Sequence, residues 1–169
     1  MRYSTKWKMW VTIPDFRRCL ICREKGGKIY DIEAIVYPSP PVHPNCRCTI
    51  ERLKLIWAGT ATKAGENGAD WYVKKYGKLP SYYITYRQAK KKGWNPKKGN
   101  LSLKCPGKMI FGGIYKNENE HLPKGDNRIW FEADINYEYG YRGADRLLFS
   151  NDGLMFVTYD HYRTFIEIE

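Results

Sequence analysis

The sequence predicts an α+β protein: helices in the middle of the chain pack on a C-terminal antiparallel β-sheet, and a small Cys/His-rich N-terminal module precedes them. Three observations point there. Helix-period and capping patterns fall between residues 69 and 104, strand-like runs take over from residue 109, and four of the five cysteines lie in the first 48 residues.

In chain order, Cys19, Cys22, Cys46 and Cys48 come first, and only Cys105 lies beyond them; it reads as a small core residue. The stretch from Ala58 to Gly68 is small, polar and glycine-rich, as a connector is. The chain therefore divides into a module over residues 1–58, a linker over 59–68 and a larger domain over 69–169. In that domain Trp71, Tyr72 and Tyr76 can share one side of a helix that Gly77 stops. Thr85 followed three residues later by Gln88 is a capping-box spacing, and the helix it opens should end at Gly93. A third short turn begins near Asn100. Strand-like runs follow at 109–115, 129–135, 146–150, 154–159 and 164–168, separated by turn residues. Asn151-Asp152-Gly153 between two alternating runs is a hairpin signal, which favours antiparallel pairing.

The formal charge of +11 is spread over both parts, with 11 basic and 5 acidic residues up to Gly59 and 18 and 13 after it. Such a surplus speeds encounter with polyanions and makes affinity fall with salt, whether the partner is RNA, DNA or an anionic membrane. Solubility alone would also explain it. Aromatic residues form 15% of the chain and many stand beside basic ones, which adds weight to nucleic acid. No apolar run is long enough to span a bilayer, and the first twenty residues lack the apolar core and cleavage site of a signal peptide. Neither membrane insertion nor a secretion signal is expected.

Cleaving RNA without a metal needs a base for the 2′-hydroxyl, an acid for the departing 5′-oxygen and cations for the phosphorane, and the larger domain holds residue types suited to each role. Alternation along 129–135 puts Glu132 on the face of Trp130 and Asp134. Arg142 and Arg146 lie four apart just downstream, and His161 follows the hairpin in Asp160-His161-Tyr162. Taken singly, each has a structural explanation: surface ion pairs for the arginines, a solvent-facing strand position for Glu132, a hydrogen-bonded loop for His161.

The runs Tyr76-Gly-Lys-Leu-Pro80, Tyr83-Ile-Thr85, Gly93-Trp94, Lys98-Gly-Asn-Leu101 and Pro106-Gly-Lys108 continue into Trp130-Phe-Glu-Ala-Asp-Ile-Asn-Tyr137 and Gly140-Tyr-Arg-Gly-Ala-Asp-Arg146. With Ser150-Asn-Asp152 and Thr158-Tyr-Asp-His-Tyr-Arg-Thr-Phe165, they align without a gap. Residues 64–169 thus resemble the barnase-like, guanyl-preferring ribonucleases of bacteria. The resemblance implies the microbial ribonuclease fold, with Glu132 as general base, His161 as general acid, and Arg142 and Arg146 on the scissile phosphate. It implies Tyr162 stacking near the guanine, Tyr141 as a second aromatic wall, a 2′,3′-cyclic phosphate intermediate and no cofactor for catalysis. Two positions depart from the family pattern. Tyr86 replaces the family's catalytic lysine, leaving Arg87 as the adjacent cation. In the guanine loop, Tyr115-Lys116-Asn117 keeps an aromatic and an Asn, but Glu118-Asn119 stands where the family has Arg and a guanine-binding Glu, so Glu118 or Glu120 would have to accept from the base.

Near the N-terminus, Cys19-Leu-Ile-Cys22 is followed by His43-Pro-Asn-Cys46-Arg-Cys48. A C-x2-C knuckle with a distant His/Cys cluster suits a tetrahedral structural zinc site, and a domain this short otherwise lacks enough core. Zinc leads; disulfides and free thiols stay open. Cys19 and Cys22 belong to every ligand set, and the choice among His43, Cys46 and Cys48 is open. Residues from Trp7 to Glu51, including Lys8-Met-Trp10, Asp15 and Pro40-Pro-Val-His43, resemble the C-terminal segment of phage Mu F-like minor head proteins, which also occurs in modular bacterial toxins. The two resemblances together imply an exported or delivered effector of a polymorphic toxin, or a virion protein with a nuclease payload. Its target would be RNA in the recipient cytoplasm, and its partner a small acidic immunity protein resembling barstar. The alternatives are a catalytically weakened RNA-binding module and a structural virion component.

Overall fold

The computed structural model describes all of residues 1–169. Its strands are β1 (Arg2–Val11), β2 (Ile29–Asp31), β3 (Thr49–Ile56), β4 (Tyr83–Thr85), β5 (Met109–Tyr115), β6 (Trp130–Asp134), β7 (Arg146–Ser150), β8 (Met155–Thr158) and β9 (Ile166–Ile168). They form one nine-stranded sheet in the order β2-β1-β3-β9-β8-β7-β6-β5-β4. The four helices are α1 (Leu20–Lys25), α2 (Ala69–Tyr76), α3 (Tyr86–Lys91) and α4 (Leu101–Lys104).

The five expected strands form an antiparallel meander, β5 to β9. Its β7–β8 turn is made by Asn151-Asp152-Gly153, with Gly153 at φ 93° and the Ser150 hydroxyl donating to Asp152 Oδ1 at 2.5 Å. The joins at either side of the meander are parallel: β4 with β5, and β3 with β9. The helices form where expected for local reasons. Gly77 ends α2 in the left-handed conformation, and Thr85 and Gln88 complete the capping box of α3. Trp71, Tyr72 and Tyr76 cluster with ring centroids within 5.7 Å of one another, but the side of α2 that enters the core carries Ala69 and Val73.

The N-terminal segment differs most from expectation. It is not short of core, because Met9, Ile29 and Leu53 bury together with Leu122, Trp130, Leu148, Phe156 and Phe165 of the larger domain. Each fully buried aromatic or aliphatic side chain of this kind contributes about 1.5–3 kcal/mol. The break drawn at 59–68 on composition is no break in sheet or packing. The N–H groups of Gly59 and Ala61 donate to the buried Asp70 carboxylate at 2.7 and 2.9 Å, and the Tyr159 hydroxyl donates to Ala61 O. Small residues there serve close approach to Asp70 and Trp71, which composition reads as flexibility. No helix is long and apolar enough to cross a membrane.

Candidate active site

Glu132 lies mid-strand on β6, paired with Leu148 on β7 and Gly113 on β5. Strand alternation puts it on the face shared by Trp130 and Asp134. Its side chain lies across Gly112 at the β5 bulge: a Cβ there would stand 2.5 Å from Glu132 Oε1 and 2.6 Å from its Cγ. Gly112→Ala is therefore expected to push the carboxylate aside. Because a displacement of about 1 Å at a reacting group can cost about 10²-fold in rate, the base role that the resemblance implies for Glu132 predicts a loss of activity on that scale with little change in Tm. Steady-state kinetics beside a thermal melt would check this, and undiminished kcat would refute it.

Asp134, 2% exposed, anchors both arginines. Arg142 grips it through two bonds, Nε to Oδ2 at 2.5 Å and Nη2 to Oδ1 at 2.7 Å, and Arg146 Nε approaches Oδ1 at 3.2 Å. Burial pushes the Asp134 carboxyl up, to about 7, against the pull of Arg146. The two-point grip of Arg142 favours the ionised form. Burial, and then Arg146, lower the Arg142 guanidinium to about 10, which leaves it charged near neutrality. Arg146 Nη1 donates to the Gly143 and Asp145 carbonyls. With these bonds made, Arg142 Nη1 and Arg146 Nη2 are the nitrogens without a partner in the protein.

Tyr86 occupies the space beside this pair. Its ring lies 4.8 Å below the Arg142 guanidinium and packs on Trp94 at 5.1 Å. The residue is thus a cation–π support for Arg142, an interaction of about 0.5–2 kcal/mol. Arg87, one residue on, projects about 100° around α3 from Tyr86. It is exposed and makes no hydrogen bond or ion pair, so the structure does not bring it into the Asp134 network.

His161 and Tyr162 both stand in the left-handed region, at φ 56° and 68°. Backbone of that kind in bulky residues costs about 1–3 kcal/mol each and must be held by its surroundings. Here Thr158 Oγ1 accepts the Tyr162 N–H, and Asp160 accepts from the backbone N–H groups of Arg163 and Thr164 and from the Thr164 hydroxyl. Burial works to raise the Asp160 pKa, but these hydrogen bonds prevail and lower it. The loop directs the Tyr162 hydroxyl to Glu132 Oε2 at 2.6 Å, and places the His161 ring edge-on to Tyr162 at 4.8 Å. Tyr162 thus touches Glu132 through its hydroxyl and its chain neighbour His161 through its ring. Tyr115 stacks on Tyr162 at 5.4 Å and 16°, and burial, followed by the bond to Glu132, raises the Tyr162 pKa.

The remaining expected binding residues have other occupations. Asn117 closes its own loop: its Nδ2 donates to Leu122 O at 2.8 Å and its Oδ1 accepts Leu122 N–H at 3.0 Å. Both polar ends of the amide are engaged, so it acts as a positioning residue. Glu118 pairs with Lys116 at 3.7 Å; Glu120 pairs with Lys124 and, at 3.5 Å, with Lys28. Tyr141 is 68% exposed, packs over Gly99 and donates to Lys97 O, and so is not part of the Tyr115–Tyr162 stack.

His161 and Tyr162 also line a polar cavity of about 880 Å³ whose opposite wall is N-terminal and includes Arg18, Arg23 and Lys28. His121 lines it too. None of these four was singled out from the sequence. The signal was present in Arg17-Arg18-Cys19 and Cys22-Arg23, where cations flank the knuckle cysteines, but nothing local says which loop they face.

The knuckle itself comes together around Cys22. Its Sγ lies 3.4 Å from Cys19 Sγ, 3.8 Å from His43 Nε2 and 3.9 Å from Cys46 Sγ. Cys19, Cys22 and His43 form one close triad, and Cys22, Cys46 and Cys48 another. All five cysteines are free, and a 3.4 Å sulfur separation is well beyond the ~2.05 Å of a disulfide. A tetrahedral zinc with ~2.3 Å thiolate bonds separates its sulfurs by about 3.8 Å, so the donor set fits such an ion. His43 Nδ1 sits 2.8 Å from Pro44 O; a carbonyl only accepts, so Nδ1 carries a proton, and in the neutral ring Nε2 presents its lone pair toward Cys22. Cys48 Sγ donates to Thr12 Oγ1. Cys105 is buried in a small core with Trp94, Leu101 and Ile110, as expected.

Comparison with known proteins bears on the same region. A ribonuclease family model matches residues 63–169. A ribonuclease of Heyndrickxia coagulans is 47% identical over 102 residues, which is 60% of this chain and 94% of that protein. Ribonucleases of Bacillus intermedius and Bacillus pumilus are each 47% identical over 102 residues, covering 60% of this chain and 63% of theirs.

Proposed function

The chain belongs to the ribonuclease family, and from that premise we propose that it is a guanyl-preferring endoribonuclease working by transphosphorylation. The observation that supports this reading is the Tyr162 side chain, bonded to Glu132 and packed on its neighbour His161, together with two arginines fixed by one buried carboxylate. Glu132 takes the 2′-hydroxyl proton, O2′ attacks phosphorus, and the P–O5′ bond breaks as His161 protonates the leaving oxygen. The first products are a 2′,3′-cyclic phosphate and a free 5′-hydroxyl. Water then adds to the cyclic ester with the two roles exchanged, giving a 3′-phosphate. Arg142 Nη1 and Arg146 Nη2 steady the charge on the phosphorane. No step calls for a metal, and Tyr86 supports a cation where the family has one of its own.

End-group analysis of the RNA products tests the mechanism. Cyclic phosphate ends, formed with or without EDTA, are the expected result; 5′-phosphate and 3′-hydroxyl ends would refute it. Guanine preference rests on the loop from Tyr115 to Leu122, where Glu118 or Glu120 would exchange its lysine partner for a guanine edge. Equal kcat/KM for guanylyl and adenylyl dinucleotides would count against it. Retention of RNA binding without cleavage would favour the rival reading, a binding module, which Tyr86 at the lysine position motivates.

The N-terminal segment we read as a phage-head-like delivery module with a structural zinc on Cys19, Cys22, His43 and Cys46, leaving Cys48 to Thr12. On that reading the protein is a toxin effector delivered to the cytoplasm of a target cell and neutralised in its producer by an acidic barstar-like inhibitor. Metal analysis should find one zinc per chain, absent from Cys22→Ser. Saturation at about 1,000 times Kd stabilises by about 4 kcal/mol, so chelation should lower Tm measurably. Protein without zinc, or a Tm indifferent to chelator, would remove the metal from the account.

A further inference from the structure

The cavity beside His161 has two walls of different origin. One is made by the loops from Glu118 to His121 and from Asp160 to Thr164, and the other comes from residues 12–28, which lie outside the part matched to the ribonuclease family. The two walls are seated closely. A Cβ on Gly27, which has φ +83°, would stand 2.9 Å from Arg163 O, and Ile29 N–H donates to His121 O at 2.8 Å.

The charges lining this space are unevenly satisfied. Lys28 is paired with Glu120, Glu118 with Lys116, and Asp160 is taken up by its own loop. Arg18, Arg23 and Arg163 have no carboxylate partner, although Arg18 Nε donates to Asp15 O at 3.2 Å. Against these three guanidinia stands one lining carboxylate without a partner, Glu24. Arginines left unpaired around a concave polar surface form a site for an anion, and the planar guanidinium matches phosphate.

The chemistry of the neighbouring site says which anion. A proton from His161 goes to the 5′-oxygen of the departing nucleoside, so the RNA continuing in the 3′ direction leaves on the His161 side. We propose that the N-terminal segment is part of the substrate cleft, with Arg18, Arg23 and Arg163 binding backbone phosphates 3′ of the scissile bond. The assignment rests on the ribonuclease reading for its direction. Arg18 and Arg23 flank the knuckle residues Cys19 and Cys22, which fixes them relative to α1.

The test separates binding from cleavage. Affinity is measured by fluorescence anisotropy for oligoribonucleotides with a 2′-deoxyguanosine at the scissile position, extended by four nucleotides on the 3′ or the 5′ side. The 3′ extension should tighten binding to the unmutated protein, and Arg18→Ala with Arg23→Ala should reduce that gain at least tenfold. The slope of log affinity against log salt should become shallower by about 0.7 for each phosphate no longer neutralised, about 1.4 for two. Lys90→Ala with Lys91→Ala removes the same charge from the exposed side of α3 and should keep the 3′ gain. A gain unchanged in the arginine variant, or reduced equally by the lysine variant, would overturn the proposal. So would a loss confined to 5′-extended RNA. Cleavage of a guanylyl dinucleotide by the unmutated protein, run alongside, tests the ribonuclease reading alone.

Discussion

His161→Ala is expected to lower kcat for a guanylyl dinucleotide by about 10²–10⁴, the range typical of a lost general acid, with KM little changed. The side chain is exposed and makes no hydrogen bond within the protein, so its removal leaves no buried partner behind and stability should stay within about 0.5 kcal/mol of the original. Glu132→Ala should produce a loss of similar size. The double variant should be far less impaired than the product of the two, since base and acid act in one transition state. The pH profile is the discriminating readout: unmutated protein gives a bell, because one group must be ionised and the other protonated, and each variant loses one limb. Full activity in either variant would end the proposed mechanism.

Asp134→Ala carries the largest expected cost in stability. The side chain is buried, and its removal leaves the Arg142 and Arg146 guanidinia facing each other without the carboxylate that joins them. Breaking a buried pair in this way costs about 3–5 kcal/mol, which in a chain of this size lowers Tm by about 10 °C. Activity should fall more than folding does. Assayed well below the new Tm, the variant should retain less than about a hundredth of kcat/KM, because nothing aims Arg142 Nη1 and Arg146 Nη2. Asp134→Asn keeps the size and one acceptor, and should recover part of the stability with little of the activity. A stable, active alanine variant would show that the arginines are held by the Gly143 and Asp145 carbonyls and by Tyr86 instead.

Local signals in the sequence were sufficient for what is local. Gly77 stops a helix because only a left-handed residue ends α2 there, the Thr85–Gln88 spacing closes a capping box, and strand alternation sets Glu132 and Asp134 on one face of β6. The meander from β5 to β9 is likewise a matter of strands pairing in chain order, with the short Asn151-Asp152-Gly153 turn between β7 and β8. The side-chain types needed for the chemistry, and the cysteine and histidine types of the knuckle, are also written in the chain order.

Tertiary structure decided everything that depends on which distant segments meet. That β3 lies parallel to β9, so that residues 1–58 extend the nuclease sheet and share its core, cannot be read from either strand, because parallel pairing joins segments more than a hundred residues apart through no local turn. Asn117 has the character of a base-reading residue until its amide closes on Leu122, and Tyr86 stands as a missing cation until its ring lies under Arg142. Arg18 and Arg23 acquire meaning only because the packing of Gly27 on the Tyr162–Arg163 backbone brings them to the cavity beside His161. A residue imposes conformation on its neighbours through sterics and short hydrogen bonds, which chain order records; the partner a charged or aromatic side chain finds is set by packing, which sums over the whole chain.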